Sequence, residues 1–488
     1  MKKLLILLGL VLFIPILFFS FNTDAHVYAY MGRLLVNGDV PYVDGWDHKG
    51  ISMYFINAFG YLIGFKSIVG IRILELLLLF YSFSKIYTRL SENYTKQIAF
   101  MSVVIGLFTM KYFFDGGNLT EEYGAIFTLI AVSLLLKDKI RTIDYGIIGA
   151  LFVINFTIRA NLISFWVALF LLYTFQVLLK KISIKTFLLN FLKMGYGAAV
   201  VVASLLIYFL STGSMHAFFD AAFTFNFSYS ESTVSSTLKT VFLSMKKYHL
   251  SIILVVGFVI SIKKVLIDKK MGVELLLLFW IPIELYFSNI SNRLYAHYFL
   301  MWIPLLMLSV VVILSEIKNQ FNFSNRRLVI ISTLAFAICY YVPSYMTLKD
   351  CQKLLFKPTI TNSEKISNHV IENYKDASIV VFGNFCDIYN STRKKAPTRF
   401  FYHSVFKYDT ALVREMISEF SKEILKERPT LIIDAKRNGM LWLDESNQAL
   451  IDDDQKRNLR EFLSTIKTHY ILKEEKYGAH FYTLKENE

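Results

Sequence analysis

The segment from Asp24 to Lys49 follows the first apolar run of the chain and is dense in side chains that can do chemistry. Those singled out here are Asp24, His26, Asp47, His48 and Lys49. A carboxylate can take a proton from a hydroxyl nucleophile, and a lysine can stabilise the charge of a phosphate. Because such groups are costly to place near lipid, their position at the end of an apolar run indicates a function.

Three further segments carry charged side chains beside apolar runs. Glu121-Glu122 precede one run, Arg159 lies between two runs, and Arg293-Leu294-Tyr295-Ala296-His297-Tyr298 precedes a late one. Arginine, histidine and tyrosine can all donate hydrogen bonds to phosphate or sugar oxygens. An aromatic belt at the membrane surface would explain the tyrosines, but it would not explain an arginine and a histidine beside them.

The composition is that of an integral membrane protein. The 488 residues are 55% hydrophobic and 16% aromatic, and their mean hydropathy is +0.46. Apolar runs of about 20 residues, long enough to cross a hydrocarbon core of about 30 Å, recur through residues 1–345. The net charge of the chain is +14, and much of the positive charge lies in the short loops between these runs. It therefore indicates membrane topology rather than a nucleic-acid partner.

The apolar runs predict eleven membrane-spanning helices. They are residues 4–21, 68–87, 97–114, 123–136, 144–158, 161–179, 187–210, 249–263, 272–288, 298–315 and 327–345. Residues 1–21 could be a cleaved signal, but Phe18-Phe19-Ser20-Phe21 is a poor cleavage site, which favours a retained helix.

Residues 51–65 are apolar but short, and counting them as a span would move every later loop to the other side. If they form an interfacial helix instead, most loop lysines and arginines fall on the cytoplasmic side, with Lys246 and Lys247 as the main exceptions. We therefore predict a cytoplasmic N-terminus and an extracytoplasmic first outer loop, residues 22–67. The polar segments described above then share the extracytoplasmic face, where a sugar or phosphate donor would have to be carried in the lipid.

The chain divides near residue 349. Residues 1–348 form the predicted membrane domain, and residues 349–488 predict a soluble extracytoplasmic α/β domain of ordinary size. Short apolar runs at 378–383 and 430–434 indicate buried strands, residues 411–425 have helical periodicity, and two runs around Lys476-Tyr477-Gly478 predict a closing hairpin. The spacing of Cys339, Cys351 and Cys386 does not require a disulfide, although a Cys351–Cys386 bridge is open.

The first outer loop resembles that of the GT-C membrane glycosyltransferases, in particular the branch with protein O-mannosyltransferases and lipid A aminoarabinose transferases. The resemblance rests on Asp24 after the first helix, on Leu34-Leu35-Val36-Asn37-Gly38-Asp39-Val40-Pro41-Tyr42, and on Trp46-Asp47-His48-Lys49-Gly50. Glu121-Glu122 and the Arg293–Tyr298 segment also resemble the family. Lys49-Gly50-Ile51 departs from the Lys-Pro-Pro of many members. The resemblance covers about residues 1–345.

The resemblance implies a sugar transfer from a polyprenyl phosphate that inverts the anomeric centre in one displacement. In the family the acidic residue at the position of Asp24 is the catalytic base; its ordinary alternative here is an interfacial helix end. Asp47 could orient the acceptor or Lys49, or it could be an exposed turn residue. Lys49, Arg159, Arg293, Tyr295, His297 and Tyr298 are candidates for binding the donor phosphate, although a lone arginine near a helix end could equally snorkel to headgroups.

The remaining polar residues leave more alternatives open. Glu121, Glu122 and His48 are candidates for an acceptor or second acidic site, but carboxylates are also favoured in the first turn of any helix. Arg72 and Glu75 are three residues apart and predict a structural ion pair. A divalent cation could bind among Asp24, His26, Asp47 and His48, but their spacing is not diagnostic of a metal site, and no cofactor is predicted to be required.

These observations predict a multi-pass cell-membrane glycosyltransferase. Its acceptor would be a cell-surface or cell-wall polysaccharide, a lipid-linked saccharide or a protein, and its partners would include membrane lipids. A transporter or flippase of lipid-linked saccharides is an alternative, but such proteins show broken helices or paired repeats near the bilayer centre. A non-catalytic subunit of surface polysaccharide assembly is a second alternative.

Overall fold

A computed structural model gives the fold of the chain. It describes residues 1–228, 233–321, 323–325, 327, 330, 341–356, 360–408, 410–435 and 457–485. The predicted span 327–345 lies largely outside the described residues, and Cys339 lies wholly outside them. Every other predicted span corresponds to a helix.

The helices of the first half of the chain are mostly apolar and follow the predicted runs. Their bounds are α1 Lys2–Phe13, α2 Thr23–Val36, α3 Ile51–Ile63, α4 Val69–Asn93, α5 Lys96–Phe113, α6 Thr120–Leu135, α7 Thr142–Ile158, α8 Ser164–Leu178 and α9 Ile184–Thr212. Short 3₁₀ helices at Ile14–Phe18 and Ala160–Ile163 extend α1 and precede α8. Between the Lys2–Phe18 helix and α2 the chain bends by 74°. Asp24 therefore lies in the first turn of a second helix.

In the second half of the chain, long apolar helices alternate with shorter amphipathic helices and with strands. Their bounds are α10 Met215–Phe219, α11 Phe225–Ser228, α12 Val234–Lys247, α13 Ser251–Leu266, α14 Val273–Asn289, α15 Trp302–Phe321, α16 Tyr341–Phe356, α17 Asn362–Asn373, β1 Ile379–Phe382, α18 Cys386–Thr392, α19 Ala411–Glu427, β2 Leu431–Ala435, α20 Arg457–His469, β3 Tyr470–Lys476 and β4 Ala479–Leu484. A π-helical turn at Asp220–Thr224 joins α10 to α11, and a 3₁₀ turn at Ala296–Met301 leads into α15.

Three described helices are long and apolar enough to cross a membrane, and two bent pairs would add a span each if each pair is one span. The three are Ala160–Leu178, Ile184–Thr212 and Ala296–Phe321. Residues 51–63 form a separate short apolar helix, as the interfacial assignment expects. The number of eleven spans stays a prediction.

The described chain comprises two compact units. Unit 1 contains residues 1–20, 72–208 and 231–357, and unit 2 contains residues 21–71, 209–230 and 358–488. Unit 2 thus combines most of the predicted tail with the first outer loop and with the segment that follows α9. The division into a membrane domain and a soluble domain at residue 349 stays a prediction.

Unit 1 is a bundle of apolar helices that pack through small residues and aromatic side chains. Helix α15 contacts α5, where Ser102 donates a hydrogen bond of 2.8 Å to the carbonyl of Met307. It also contacts α13, where a Cβ added to Gly257 would stand 2.6 Å from Ser309. Close approach of helix backbones is the typical role of small residues in membrane bundles.

Unit 2 contains a four-stranded sheet with the strand order β1-β2-β4-β3. Strands β1 and β2 are parallel and pair Ile379 with Leu431, whereas β4 is antiparallel to β2 and β3. Both parallel strands are buried along their full length. The predicted buried strands, the helix beginning at residue 411 and the closing hairpin are therefore confirmed.

Helix α2 belongs to the same unit and packs on α3 and α18. The buried guanidinium of Arg33 donates hydrogen bonds to the carbonyls of Tyr389 and Lys394, at 3.1 and 2.7 Å. Because a buried arginine needs acceptors for its donors, these bonds attach the first outer loop to the α/β part of the unit. Cys386, at the start of α18, is a buried free thiol, so it does not form the bridge to Cys351 that the sequence left open.

Candidate functional site

Asp47 is the centre of a buried hydrogen-bond network in unit 2. Its side chain is within hydrogen-bond distance of two tyrosine hydroxyls: Tyr402 donates to Oδ1 at 2.5 Å and Tyr54 donates to Oδ2 at 2.7 Å. Asp47 is only 1% exposed. The alternative of an exposed turn residue is therefore wrong, because the carboxylate is enclosed and both of its oxygens accept hydrogen bonds.

The backbone around Asp47 is fixed by tight turns that the family-like motif encodes. Tyr42 adopts a φ of 71°, and its N–H donates a hydrogen bond of 2.7 Å to the carbonyl of Gly45. The next residue, Trp46, donates its N–H to the carbonyl of Arg399 at 2.7 Å. The hydroxyl of Tyr42 donates to the carbonyl of Lys49 at 2.9 Å. Together these bonds hold residues 42–49 as one rigid loop.

Charges around Asp47 favour its ionised form. Burial alone would raise the pKa of this carboxyl, but the nearby His48 and Lys49 charges and the two tyrosine hydroxyls lower it below its ordinary value. The pKa of the Tyr402 hydroxyl is raised well above its ordinary value, first by burial and then by the charge and hydrogen bond of Asp47. The charge of Asp24 also raises the pKa of Tyr402. Tyr402 therefore lies in the field of both predicted catalytic carboxylates.

His48 and Lys49 extend the network away from Asp47. Nζ of Lys49 lies 2.5 Å from Nε2 of His48, and Nδ1 of His48 lies 3.4 Å from Oδ1 of Asp47. Asn226, in the short helix α11, donates to the carbonyl of His48 at 2.9 Å. The structure thus joins three of the predicted residues into one chain of polar contacts.

Asp24 is exposed at the N-terminal end of α2. The side chain of Asn22 caps the helix and accepts a hydrogen bond of 2.8 Å from the N–H of Ala25. The positive end of the helix dipole favours a carboxylate in this first turn. His26, two residues later, is buried, and its carbonyl accepts a 2.9 Å bond from Asn390. His26 therefore has a packing role that the sequence did not predict.

A second polar cluster lies in unit 1 and contains the other predicted residues. Arg159, just after α7, forms an ion pair with Glu121 in the first turn of α6. Thr120 donates to the other carboxylate oxygen of Glu121 at 2.8 Å. The guanidinium carbon of Arg159 lies 4.6 Å from the ring centre of Tyr298. Arg159 therefore does not simply snorkel to lipid headgroups, because it is held by a carboxylate and an aromatic ring.

His297 lies in the 3₁₀ turn before α15 and belongs to the same cluster. Its Nδ1 lies 3.1 Å from Oδ2 of Asp115, and its ring stacks on Tyr295 with the ring centres 5.7 Å apart. The guanidinium of Arg293 lies 6.0 Å from the ring centre of Tyr295. Asp115 was not predicted as a site residue. The signal in the sequence that could have identified it is the glycine-rich run Asp115-Gly116-Gly117-Asn118. In the structure this run forms a turn in which Gly116 and Gly117 have positive φ angles.

Glu122 has a different environment from its neighbour Glu121. It is 0% exposed and within interaction range of Glu75 and Arg72. Arg72 donates to Glu75 at 3.1 Å, so the predicted ion pair is confirmed, and the N–H of Asn118 donates to the other oxygen of Glu75 at 2.8 Å. Glu75, Glu122 and Arg72 therefore form one enclosed group beside the glycine-rich turn.

The segment that carries Arg159 is fixed to α14 by contacts that the sequence analysis missed. Asn161 donates to the carbonyl of Phe287 at 3.0 Å. Ser164 bonds to the buried carboxyl of Glu284, which also accepts a bond from Ser288. The signal for Glu284 was present, since it is one of two carboxylates within the predicted span 272–288, and such groups are rarely without a role.

The described residues contain no group of three or more histidine, cysteine, aspartate or glutamate side chains that could hold a metal ion. Asp24, His26, Asp47 and His48 are therefore not gathered into a ligand set, although all four lie in unit 2. The chemistry that the two clusters offer is that of carboxylates, cations and aromatic rings.

The chain has a GT-C-like fold, as the sequence resemblance predicted. It is similar in structure to ArnT, a lipid A aminoarabinose transferase, from Cupriavidus metallidurans, solved with undecaprenyl phosphate bound and in the apo state. Both comparisons have a TM-score of 0.62 and cover 98% of this chain and 97% of ArnT, with 10% identity to the bound and 11% to the apo structure. No family model and no curated protein matches the sequence.

Proposed function

We propose that the protein transfers a sugar from a polyprenyl-phosphate donor to a cell-surface glycan, a lipid-linked saccharide or a protein on the extracytoplasmic face of the cell membrane. The observation that carries this proposal is the cluster of Arg159, Glu121, Tyr298 and His297 on an ArnT-like fold. The ArnT structure was solved with undecaprenyl phosphate bound, which supports a polyprenyl phosphate as a partner.

Arg159 and Arg293 would bind the phosphate of the donor. Arg159 is oriented by Glu121 and by the ring of Tyr298, and Arg293 lies beside Tyr295. As the bond between the sugar and the phosphate breaks, negative charge grows on the phosphate oxygens. Cations that are already oriented stabilise this charge without reorganising. Tyr298 and His297 would donate further hydrogen bonds to the phosphate or the sugar.

Asp24 would act as the base, with Lys49 as a further cation for the donor phosphate. The acceptor hydroxyl gives its proton to the Asp24 carboxylate while its oxygen forms the new bond to the anomeric carbon. The polyprenyl phosphate leaves from the opposite face, so the anomeric configuration inverts in one step. Asp47 is buried and accepts hydrogen bonds from two tyrosines, and its neighbours lower its pKa below the ordinary value. We assign it the role of a positioning residue that orients His48 and Lys49.

The test is transfer from a radiolabelled polyprenyl-phosphate sugar by the purified full-length protein in lipid vesicles, with extracted cell-surface glycan as acceptor. Asp24→Asn should lower the rate by about 10²–10⁴-fold, as the loss of a general base does. Asp376→Asn, an exposed residue of unit 2, is the matched control and should retain the wild-type rate. A wild-type protein that moved the lipid across the vesicle membrane without consuming the sugar would identify a flippase and refute the proposal.

A further inference from the structure

A cavity of about 290 Å³ lies in unit 2, close to the lower limit of the volumes of small-molecule sites. The side chains used in the argument below are those of Trp46, His216, Asp220, Arg399, Glu415 and Glu419. They come from the first outer loop, from the segment around α10, from the segment between α18 and α19, and from α19 itself. None of them donates a hydrogen bond to the Asp47 carboxylate or belongs to the Arg159 cluster, although Trp46 and Arg399 help to hold the backbone of the loop that carries Asp47.

The charges of the cavity are largely paired within its wall. Arg399 donates to Glu419 at 2.5 Å, and Nδ1 of His216 lies 2.7 Å from Asp220. Glu415, on the same face of α19 as Glu419, has no ion-pair partner among the described residues of the wall. With three carboxylates against one arginine and one histidine, the lining is unfavourable for a phosphate or another anion. The donor phosphate is therefore a poor ligand for this cavity.

The lining is suited to a ligand rich in hydroxyl groups. Carboxylates accept hydrogen bonds from hydroxyls, and the remaining N–H groups of an arginine donate to ring or hydroxyl oxygens. Trp46 adds a rigid apolar surface, because its ring packs edge-on against Phe225 with the centres 4.9 Å apart and its backbone N–H donates to the carbonyl of Arg399. An aromatic ring of this kind can pack against the C–H face of a sugar ring.

We propose that this cavity binds a sugar unit of the acceptor. Glu415 and Glu419 would accept hydrogen bonds from its hydroxyls, Arg399 would donate to its oxygens, and Trp46 would form the apolar wall. The inference rests on the proposed function and narrows it, because it makes the acceptor a saccharide, free or lipid-linked, rather than a protein. Trp46 directly precedes Asp47, so a sugar bound here would contact the same rigid loop that carries His48 and Lys49.

The experiment is saturation-transfer NMR on the full-length protein in nanodiscs, with maltose, cellobiose and N,N′-diacetylchitobiose as probes. We expect saturation transfer to at least one disaccharide. Glu415→Gln should weaken that binding about tenfold, since it removes a charged acceptor. Leu412→Trp, which fills the cavity from its wall, should abolish it. The matched control for Glu415→Gln is Glu427→Gln, and that for Leu412→Trp is Leu425→Trp. Both controls are at exposed positions of α19, about 18 Å or more along the helix from the residues of the cavity wall that they match.

A second measurement separates this inference from the proposed function. Binding of undecaprenyl phosphate to the same variants, followed by native mass spectrometry, should be unchanged in Glu415→Gln and Leu412→Trp. If no probe receives saturation transfer, or if transfer persists in both cavity variants, the acceptor-sugar site is refuted even when undecaprenyl phosphate binds. If undecaprenyl phosphate does not bind the wild-type protein, the proposed function itself is refuted, and with it the assignment of the cavity to an acceptor.

Discussion

The hydroxyl of Tyr402 donates a 2.5 Å hydrogen bond to the carboxylate of Asp47, a residue 355 positions earlier in the chain. The bond joins the α/β part of unit 2 to the loop that carries His48 and Lys49. Through this bond the C-terminal part of the chain encloses and orients a carboxylate of the first outer loop. This contact leads to the first prediction.

Tyr402→Phe should destabilise the protein and lower its transfer activity. It leaves one oxygen of a buried carboxylate without its donor, which typically costs about 1–3 kcal/mol. Thermal unfolding of the purified protein should therefore occur at a lower temperature than in the wild type. Tyr477→Phe, at an exposed tyrosine of the β3–β4 turn, should leave the unfolding temperature unchanged. Equal behaviour of the two variants would mean that the Tyr402–Asp47 bond contributes nothing.

The donor-phosphate assignment predicts a graded loss of affinity for undecaprenyl phosphate. Arg293→Ala, Lys49→Ala and Arg159→Ala should each weaken binding about 10–100-fold, since each removes a charge-assisted hydrogen-bond donor. Arg159→Lys should recover only part of the loss, because lysine lacks the planar fork that contacts a carboxylate and a phosphate together. Lys270→Ala, an exposed lysine in a predicted cytoplasmic loop, is the control. The assignment is refuted if Lys270→Ala weakens binding as much as the other variants.

Acid should destabilise unit 2 in part through Glu474. Burial alone would raise its pKa, but hydrogen bonds from His369, Lys476 and Tyr374 lower it from the ordinary 4.5 to about 2. The ionised carboxylate therefore stabilises the fold above pH 4.5, and this contribution is lost as the pH falls towards 2. The difference in unfolding temperature between wild type and Glu474→Gln should shrink over that range. Glu372→Gln, at an exposed position on α17, should show no such dependence.

The charge distribution predicts that the C-terminal part of the chain lies outside the cytoplasm. A cysteine at Glu427, exposed at the end of α19, should react with a membrane-impermeant maleimide in intact, wall-stripped cells. A cysteine at Lys139, in a predicted cytoplasmic loop, should react only after lysis. Labelling of the wild-type cysteines gives the background. The reverse pattern would mean that residues 51–65 cross the membrane, which would remove the polar segments from a shared outer face.

Local patterns in the sequence were sufficient for the apolar spans and for the sheet, but not for helices such as α2. Apolar runs and short buried-strand patterns need no distant partner to be recognised, so ten of the eleven predicted spans correspond to described helices, and β1, β2 and the β3–β4 hairpin were found. The ion pair of Arg72 and Glu75 could be predicted for the same reason, because residues three apart face each other on a helix. The family-like motif from Leu34 to Lys49 likewise led to the GT-C fold.

Long-range contacts decided the rest. Asp47 is enclosed because Tyr402 contacts it, and His26 has a packing role because Asn390 bonds to its carbonyl. Arg159 is held in place by Glu121 and Tyr298. These partners lie far along the chain, and periodicity carries no information about which distant side chains meet. Only the tertiary structure could therefore separate an exposed carboxylate, Asp24, from a buried one, Asp47, because burial is a property of the packed molecule.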